Sequence, residues 1–170
     1  MITLVLGGAR SGKSEVAEAV LAPARRPVTY VATALGEDPT MVSRIAAHRA
    51  RRPASWRTVE ATTDLPEVLR SLGGPVLVDS LGTWLARCDD LVADVAGLCR
   101  VLEGRSGPTG DATVLVSEEV GLGVHPPTEV GVRFADRLGE LNRSVADLAD
   151  EVLFVVAGRV LPLERPAGLV

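Results

Sequence analysis

A chain of 170 residues, 46% hydrophobic and 24% charged, carries enough apolar material for one domain with a sizeable core and too little length for two. Its net charge of −4 argues against a general affinity for nucleic acid or anionic membrane. With no run of roughly 18 apolar residues and no basic segment ahead of an apolar one at the N-terminus, neither a membrane span nor a signal peptide is expected, and the cytoplasm is the expected compartment. Residues 1–170 therefore read as a single domain. Cys88 and Cys99 lack metal-ligand spacing and read as unpaired thiols. Aromatics are few, so Val, Leu and Ala must build the core.

The chain opens on Met1-Ile2-Thr3-Leu4-Val5-Leu6, an apolar run that predicts a buried strand. It feeds directly into Gly7-Gly8-Ala9-Arg10-Ser11-Gly12-Lys13-Ser14, a G-x-x-x-x-G-K-[ST] match. Glycines at both ends let the backbone turn tightly and aim successive N–H groups inward, so that a polyphosphate is cradled by main-chain donors and by the positive end of the next helix. Lys13 offers a point charge for the β- and γ-phosphates, and Ser14 a hydroxyl for Mg²⁺. Of the 18 basic side chains all but Lys13 are arginine, which places the one compact ammonium where it suits phosphate. Residues 14–21 continue the loop as a helix.

Val28-Thr29-Tyr30-Val31-Ala32 predicts the second strand, with Thr33 and Ala34 at its C-terminal end, where open α/β sheets place their ligands. A helix is expected over residues 41–52, ending before Pro53. It carries Arg44, His48, Arg49, Ala50, Arg51 and Arg52. Two readings stay open for this cluster. It is a solvated basic helix end, or a phosphate-handling surface in which neighbouring arginines keep the His48 imidazole neutral and nucleophilic.

Residues 56–60 predict a short strand, and Asp64 with Glu67 a D-x-x-E start for a helix over 65–72 that Gly73-Gly74 ends. Pro75-Val76-Leu77-Val78-Asp79 is an apolar strand ending in a carboxylate, the Walker B arrangement in which an Asp helps to hold Mg²⁺. Residues 81–102 read as one or two helices, residues 103–111 as a solvent loop, and residues 114–117 as a further buried strand. Glu118-Glu119 follows, and either polarises a hydroxyl acceptor or faces water; His125, in the loop after it, reads as a surface residue. The longest helix is expected over 128–149, with Val130, Phe134, Leu138, Leu141, Val145 and Leu148 on one face. Residues 151–156 are expected to close the sheet, leaving a tail that is irregular or a short edge element. Alternating strands and helices imply an α/β protein with a mostly parallel sheet and helices on both faces, a RecA-like P-loop nucleoside-triphosphate fold.

Three stretches together resemble one family: the Gly7–Ser14 loop, the Arg44-Ile45-x-x-His48-Arg49-x-x-Arg52-Pro53 segment leading to Trp56-Arg57-Thr58-x-Glu60, and Glu119-Val120-Gly121-Leu122-Gly123. They are similar to the bifunctional adenosylcobinamide kinase / adenosylcobinamide-phosphate guanylyltransferases of cobalamin biosynthesis. The resemblance implies transfer of a γ-phosphoryl group from ATP or GTP to the hydroxyl of the aminopropanol arm of adenosylcobinamide. It further implies attack of His48 on the α-phosphate of GTP, and passage of GMP from that histidine to adenosylcobinamide phosphate. By the same resemblance Ala32, Thr33, Ala34, Arg49, Ala50, Arg51, Arg52, Glu60 and Asp79 would contact the guanine nucleotide or its Mg²⁺, and the chain would form a homo-oligomer, with a trimer expected. The chain departs from the family pattern at Glu118, where Asn is usual, and at Ser80-Leu81-Gly82-Thr83-Trp84-Leu85, where C-L-T-x-W-L is usual. The rival reading is a single-function P-loop small-molecule kinase or ATPase that forms no covalent intermediate. A guanine-nucleotide switch fits poorly, since Asn142 and Lys13, the only Asn and Lys, cannot make an N-K-x-D reader.

Overall fold

A computed structural model describes residues 1–34, 52–106 and 111–166. Its strands are β1 (Ile2–Gly7), β2 (Thr29–Ala32), β3 (Arg57–Glu60), β4 (Val76–Asp79), β5 (Thr113–Glu118), β6 (Glu151–Val156) and β7 (Arg159–Pro162). The helices are α1 (Lys13–Leu21), α2 (Leu65–Ser71), α3 (Leu81–Arg87), α4 (Val95–Arg105) and α5 (Glu129–Ala146), with a 3₁₀ turn at Asp89–Leu91. Among the described residues the strands form one seven-stranded sheet in the order β3-β2-β4-β5-β1-β6-β7, in which only the β6–β7 pair is antiparallel.

The strand sequences explain this layout. All six residues of β1 are buried, as are three of the four in β4, because a central parallel strand is covered on both faces and must be apolar throughout. Alternate side chains then feed two cores. Ile2, Leu4 and Leu6 pack with Leu65, Leu69, Trp84, Leu98, Leu138 and Leu141, the inner faces of α2 to α5. Val5, Leu77, Val114 and Val116 pack with Ala17 and Leu21 of α1 on the other face. Trp84 is fully buried and its indole N–H donates to the Thr63 carbonyl at 3.2 Å, which satisfies the polar end of the largest core side chain.

Several expectations shift in detail. The segment over 81–102, expected as one or two helices, is two, α3 and α4, with the 3₁₀ turn and Asp90 at φ 51° between them. Helix α4 runs on to Arg105, so the expected loop over 103–111 starts as helix; Arg105 donates to the carbonyls of Leu72 and Gly74 and to Thr113 Oγ1, which ties the helix end to the sheet. Asp64 does not cap α2: its carboxylate accepts from the Thr62 N–H and hydroxyl instead. Val130 is 57% exposed, because the first turn of α5 projects past the sheet and only Leu138, Leu141, Asn142 and Val145 are buried. Strand β6 does not close the sheet, since Gly158 at φ 70° turns the chain back into β7 at the edge. Both cysteines are free, and burial raises each thiol pKa above its usual range. The helix expected over 41–52, and with it His48, Arg49, Ala50 and Arg51, lies outside the described residues but for Arg52.

Candidate active site

The site is built where β1, β4 and β5 end. Register places Gly7 beside Glu118, and Asp79 beside Val116, so that the phosphate loop, the β4 carboxylate and the β5 carboxylate emerge at one edge of the sheet. The loop itself requires its glycines. A Cβ on Gly7 would lie 2.5 Å from Ser11 Oγ and 2.7 Å from the Val155 carbonyl, and Gly12, the residue that starts α1, has φ 94°. Ala9 and Arg10 are exposed, Gly8 and Ser14 half-buried, and Ser11 is buried with its carbonyl accepting from Gly158 N–H at 2.8 Å. The Ser11 hydroxyl is buried with no hydrogen-bond partner, a polar atom left facing the inside of the loop. Three successive N–H groups at the start of α1 have no intrahelical acceptor by geometry, so this end attracts anions.

Lys13 lies back across its own loop. Its Nζ donates to the Gly8 carbonyl at 3.4 Å and sits 3.5 Å from Glu118 Oε1. Both oxygens of Glu118 accept from Ser80 Oγ at 2.9 Å. Gly82 makes room for that carboxylate, since a Cβ there would overlap Glu118 Oε2. The main chain beneath is fixed by Asn142, whose amide donates to the Glu118 carbonyl at 3.0 Å and accepts from Ser117 Oγ at 2.6 Å. The Glu119 carboxylate instead accepts from the Gly121 N–H in the loop after β5.

Asp79 is held by a second set of contacts. The Tyr30 hydroxyl donates to Asp79 Oδ2 at 3.0 Å, and the Arg52 guanidinium lies 3.2 Å from the centroid of the same ring. Arg52 Nε is 3.7 Å from Glu18 Oε1 of α1, with the Arg52 side chain only 7% exposed. Burial first, and Asp79 second, push the Tyr30 phenol far above its ordinary range, so it stays a donor at any physiological pH. Thr33 is also buried: its hydroxyl accepts from Ser80 N–H and donates to the Ser80 carbonyl, each at 2.7 Å, and it contacts Thr83 Oγ1. Ser80 in turn caps α3 through a capping box with Thr83. Ala32 and Ala34 are half-buried, while Glu60 is exposed at the end of β3, in register with Ala32 and through it with Asp79.

The structure thus brings Gly7, Gly8, Ser11, Gly12, Lys13, Ser14 and Asp79 to one edge, and leaves Glu60 two strands away from Asp79. Tyr30, Ser80, Gly82 and Glu118 belong to the same constellation; the sequence marks only Glu118 of these as a candidate, in the carboxylate pair that polarises a hydroxyl acceptor or faces water. A lone tyrosine in a buried strand carried one usable signal, because its hydroxyl demands a partner and a neighbouring strand ends in a carboxylate. His125 is exposed. Among the described residues no cluster of three or more His, Cys, Asp or Glu forms a metal site. Ser14 offers a hydroxyl and Asp79 a carboxylate at this edge.

The glycine-bounded loop between β1 and α1, and the carboxylate at the end of β4, define a P-loop nucleotide-binding fold. Solved structures agree at the level of fold alone. A prototypical ATPase of the type III secretion system of pathogenic bacteria superposes with a TM-score of 0.53 at 16% identity, over 90% of this chain and 50% of that one, so this chain spans half of its length. A Pyrococcus horikoshii OT3 protein, PH0250, gives a TM-score of 0.54 at 11% identity over 98% of this chain and 87% of that chain.

The chain belongs to the family described as cobinamide kinase / cobinamide phosphate guanyltransferase (CobU), which matches residues 3–163. It is 43% identical over 173 residues to the bifunctional adenosylcobalamin biosynthesis protein CobP of Pseudomonas aeruginosa, covering 96% of this chain and 98% of that protein. It is 34% identical over 176 residues to the CobU proteins of Salmonella typhimurium and of Escherichia coli K12, covering 93% of this chain and 97% of each. It is accordingly a transferase of cobalamin biosynthesis, and no helix among the described residues is long and apolar enough to cross a membrane.

Proposed function

We propose that this chain carries out both family reactions at the one phosphate loop, with a covalent guanylyl-histidine in the second. In the first, ATP or GTP lies with its phosphates in the Gly7–Ser14 loop, Lys13 exchanges Glu118 for the β- and γ-phosphates, and the γ-phosphoryl group passes to the hydroxyl of the aminopropanol arm of adenosylcobinamide. Ser14 and Asp79 would hold Mg²⁺, partly through water, and the ion would neutralise charge on the phosphate oxygens. Tyr30 holds Asp79 Oδ2 and so fixes the orientation of that carboxylate.

In the second reaction the neutral His48 imidazole attacks the α-phosphorus of GTP, pyrophosphate leaves, and GMP then passes to adenosylcobinamide phosphate to give adenosylcobinamide-GDP. The phosphoramidate divides one hard displacement into two easier ones, since imidazole both attacks and leaves well. Arg49 and Arg51 would accompany the nucleotide phosphates. The contacts of Arg52, over the Tyr30 ring and 3.7 Å from Glu18, support a positioning role for it between β2 and α1. The observation that carries this reading is the convergence of Lys13, Asp79 and Glu118 at one sheet edge in a chain that matches the family over residues 3–163.

The test uses GTP labelled at the α-phosphate. Incubated with Mg²⁺ and then denatured, the wild-type protein is expected to retain acid-labile, base-stable label that His48→Ala lacks. Folded wild type that binds GTP and takes up no label would overturn the histidine step and leave a single-function kinase or ATPase.

A further inference from the structure

Glu118 is the one carboxylate that reaches the phosphate-binding lysine among the described residues, and its surroundings are those of a group meant to change partners. Lys13 Nζ lies 3.5 Å away, too long for a tight charged hydrogen bond, while Ser80 Oγ holds both carboxylate oxygens from the other side. The Glu118 side chain is 27% exposed and that of Lys13 12%, so Glu118 is partly open to solvent. Gly82 removes the side chain that would otherwise displace it, and Asn142 fixes its main chain from α5.

We propose that Glu118, which stands in this chain where the family usually has Asn, is the proton acceptor of its phosphorylation half-reaction, and that nucleotide binding frees it by drawing Lys13 away. The inference rests on the two-step reading above. With the loop empty, Lys13 lies against Glu118. When polyphosphate enters, Lys13 turns to the phosphate oxygens, and Glu118 is left on the Ser80 hydroxyl with its other side free to meet the acceptor hydroxyl. The groups that face it are Lys13 from α1, Ser80 at the start of α3 and, behind its main chain, Asn142 of α5; Asp79 stands next to Ser80 at the end of β4. In the step itself the acceptor hydroxyl oxygen bonds to the γ-phosphorus as the bond from that phosphorus to the β,γ-bridging oxygen breaks. The nucleoside diphosphate leaves with the electron pair, and the hydroxyl proton passes to a Glu118 carboxylate oxygen and then to solvent.

The same protein contains the control. In guanylyl transfer the acceptor is a phosphate monoester, already ionised at neutral pH, and needs no base. The ratio of cobinamide phosphorylation to GMP transfer onto supplied cobinamide phosphate therefore isolates the role of Glu118. In Glu118→Gln, which keeps the shape and loses the charge, this ratio is expected to fall by about 100-fold or more. GTP affinity, measured by titration calorimetry, is expected to hold or tighten, because Lys13 is released. Glu118→Asp, still charged, should give a ratio between those of Gln and wild type. A Gln ratio within about threefold of wild type, far below the span of general-base effects, overturns the proposal. So does an Asp ratio equal to wild type, or no higher than that of Gln. Should Gln not fold, the Asp ratio decides alone. Loss of either activity in wild type would count against the two-step reading rather than against Glu118.

Discussion

Two clusters flank the phosphate loop, and they are built on opposite plans. On the β1–β5 side, Lys13, Glu118 and Ser80 meet through a long ion pair and a shared hydroxyl, partly open to solvent. On the β2–β4 side, Tyr30, Asp79, Arg52 and Glu18 are packed together, with the phenol donating into the carboxylate and the guanidinium flat on the ring. A pair held at 3.5 Å is too long for a tight charged hydrogen bond, so an incoming phosphate can take over the ammonium. A buried stacked cluster cannot be taken over in this way, because disrupting it strands desolvated polar groups. The first side is therefore suited to change during catalysis, and the second to hold Asp79 still.

The comparison breaks most visibly at Gly82. Gly82→Ala places a Cβ against Glu118 Oε2, and a flexible carboxylate moves more cheaply than a helix. The expected result is near-normal stability with phosphorylation lowered about 100-fold relative to GMP transfer, as a displacement of about 1 Å costs in a positioned reaction. Parallel assays of the two half-reactions, with a thermal melt, check this. Equal loss of both activities would mean that the whole loop had moved.

On the other side, Arg52→Ala is expected to cost stability first. Loss of the stack on Tyr30 and of the packing of the guanidinium stem amounts to about 2 kcal/mol, or roughly 4–8 °C in Tm for a chain of this size. Arg52→Lys should recover only part of it, because an ammonium does not stack as a planar guanidinium does. Calorimetric melts of the two variants measure the difference.

The smallest effect is expected from Tyr30→Phe, which keeps the ring beneath Arg52 and removes only the bond to the Asp79 carboxylate, about 1.5 kcal/mol. It has a pH signature with a definite sign. The folded-state phenol is held above its ordinary range, first by burial and then by Asp79, whereas an unfolded tyrosine ionises near pH 10. Below that pH the contribution is fully present. Above it the unfolded chain loses a proton that the folded chain keeps, so wild-type stability falls with rising pH. Denaturant titrations on either side of about pH 10 should show this extra fall in wild type and not in Tyr30→Phe.

How far the sequence reached follows the same division. The P-loop, the β4 carboxylate and the alternation of elements were legible because each is local: a motif of eight residues, or an apolar run with a charge at its end. The contacts of Tyr30 and Glu118 are pairings across 49, 105 and 38 positions, set by strand order rather than by anything near them in the chain. Because β5 inserts between β1 and β4, Glu118 meets Lys13 and Ser80; a different strand order would have left it facing water. The same cause explains β6, which looks like a closing strand until Gly158 returns the chain as β7. Over 81–102 the sequence left one or two helices open, since apolar spacing continues through Leu91 and Val95 while the backbone turns at Asp90.

The most direct test of the difference between the two clusters is a crystal structure of the full chain with Mg²⁺ and a non-hydrolysable GTP analogue. The account predicts that Lys13 Nζ leaves Glu118 for the phosphate oxygens while Glu118 stays on Ser80, and that the Tyr30–Asp79 bond and the Arg52 stack keep their present geometry. Lys13 still paired with Glu118 beside a bound triphosphate, or Tyr30 parted from Asp79, would contradict it.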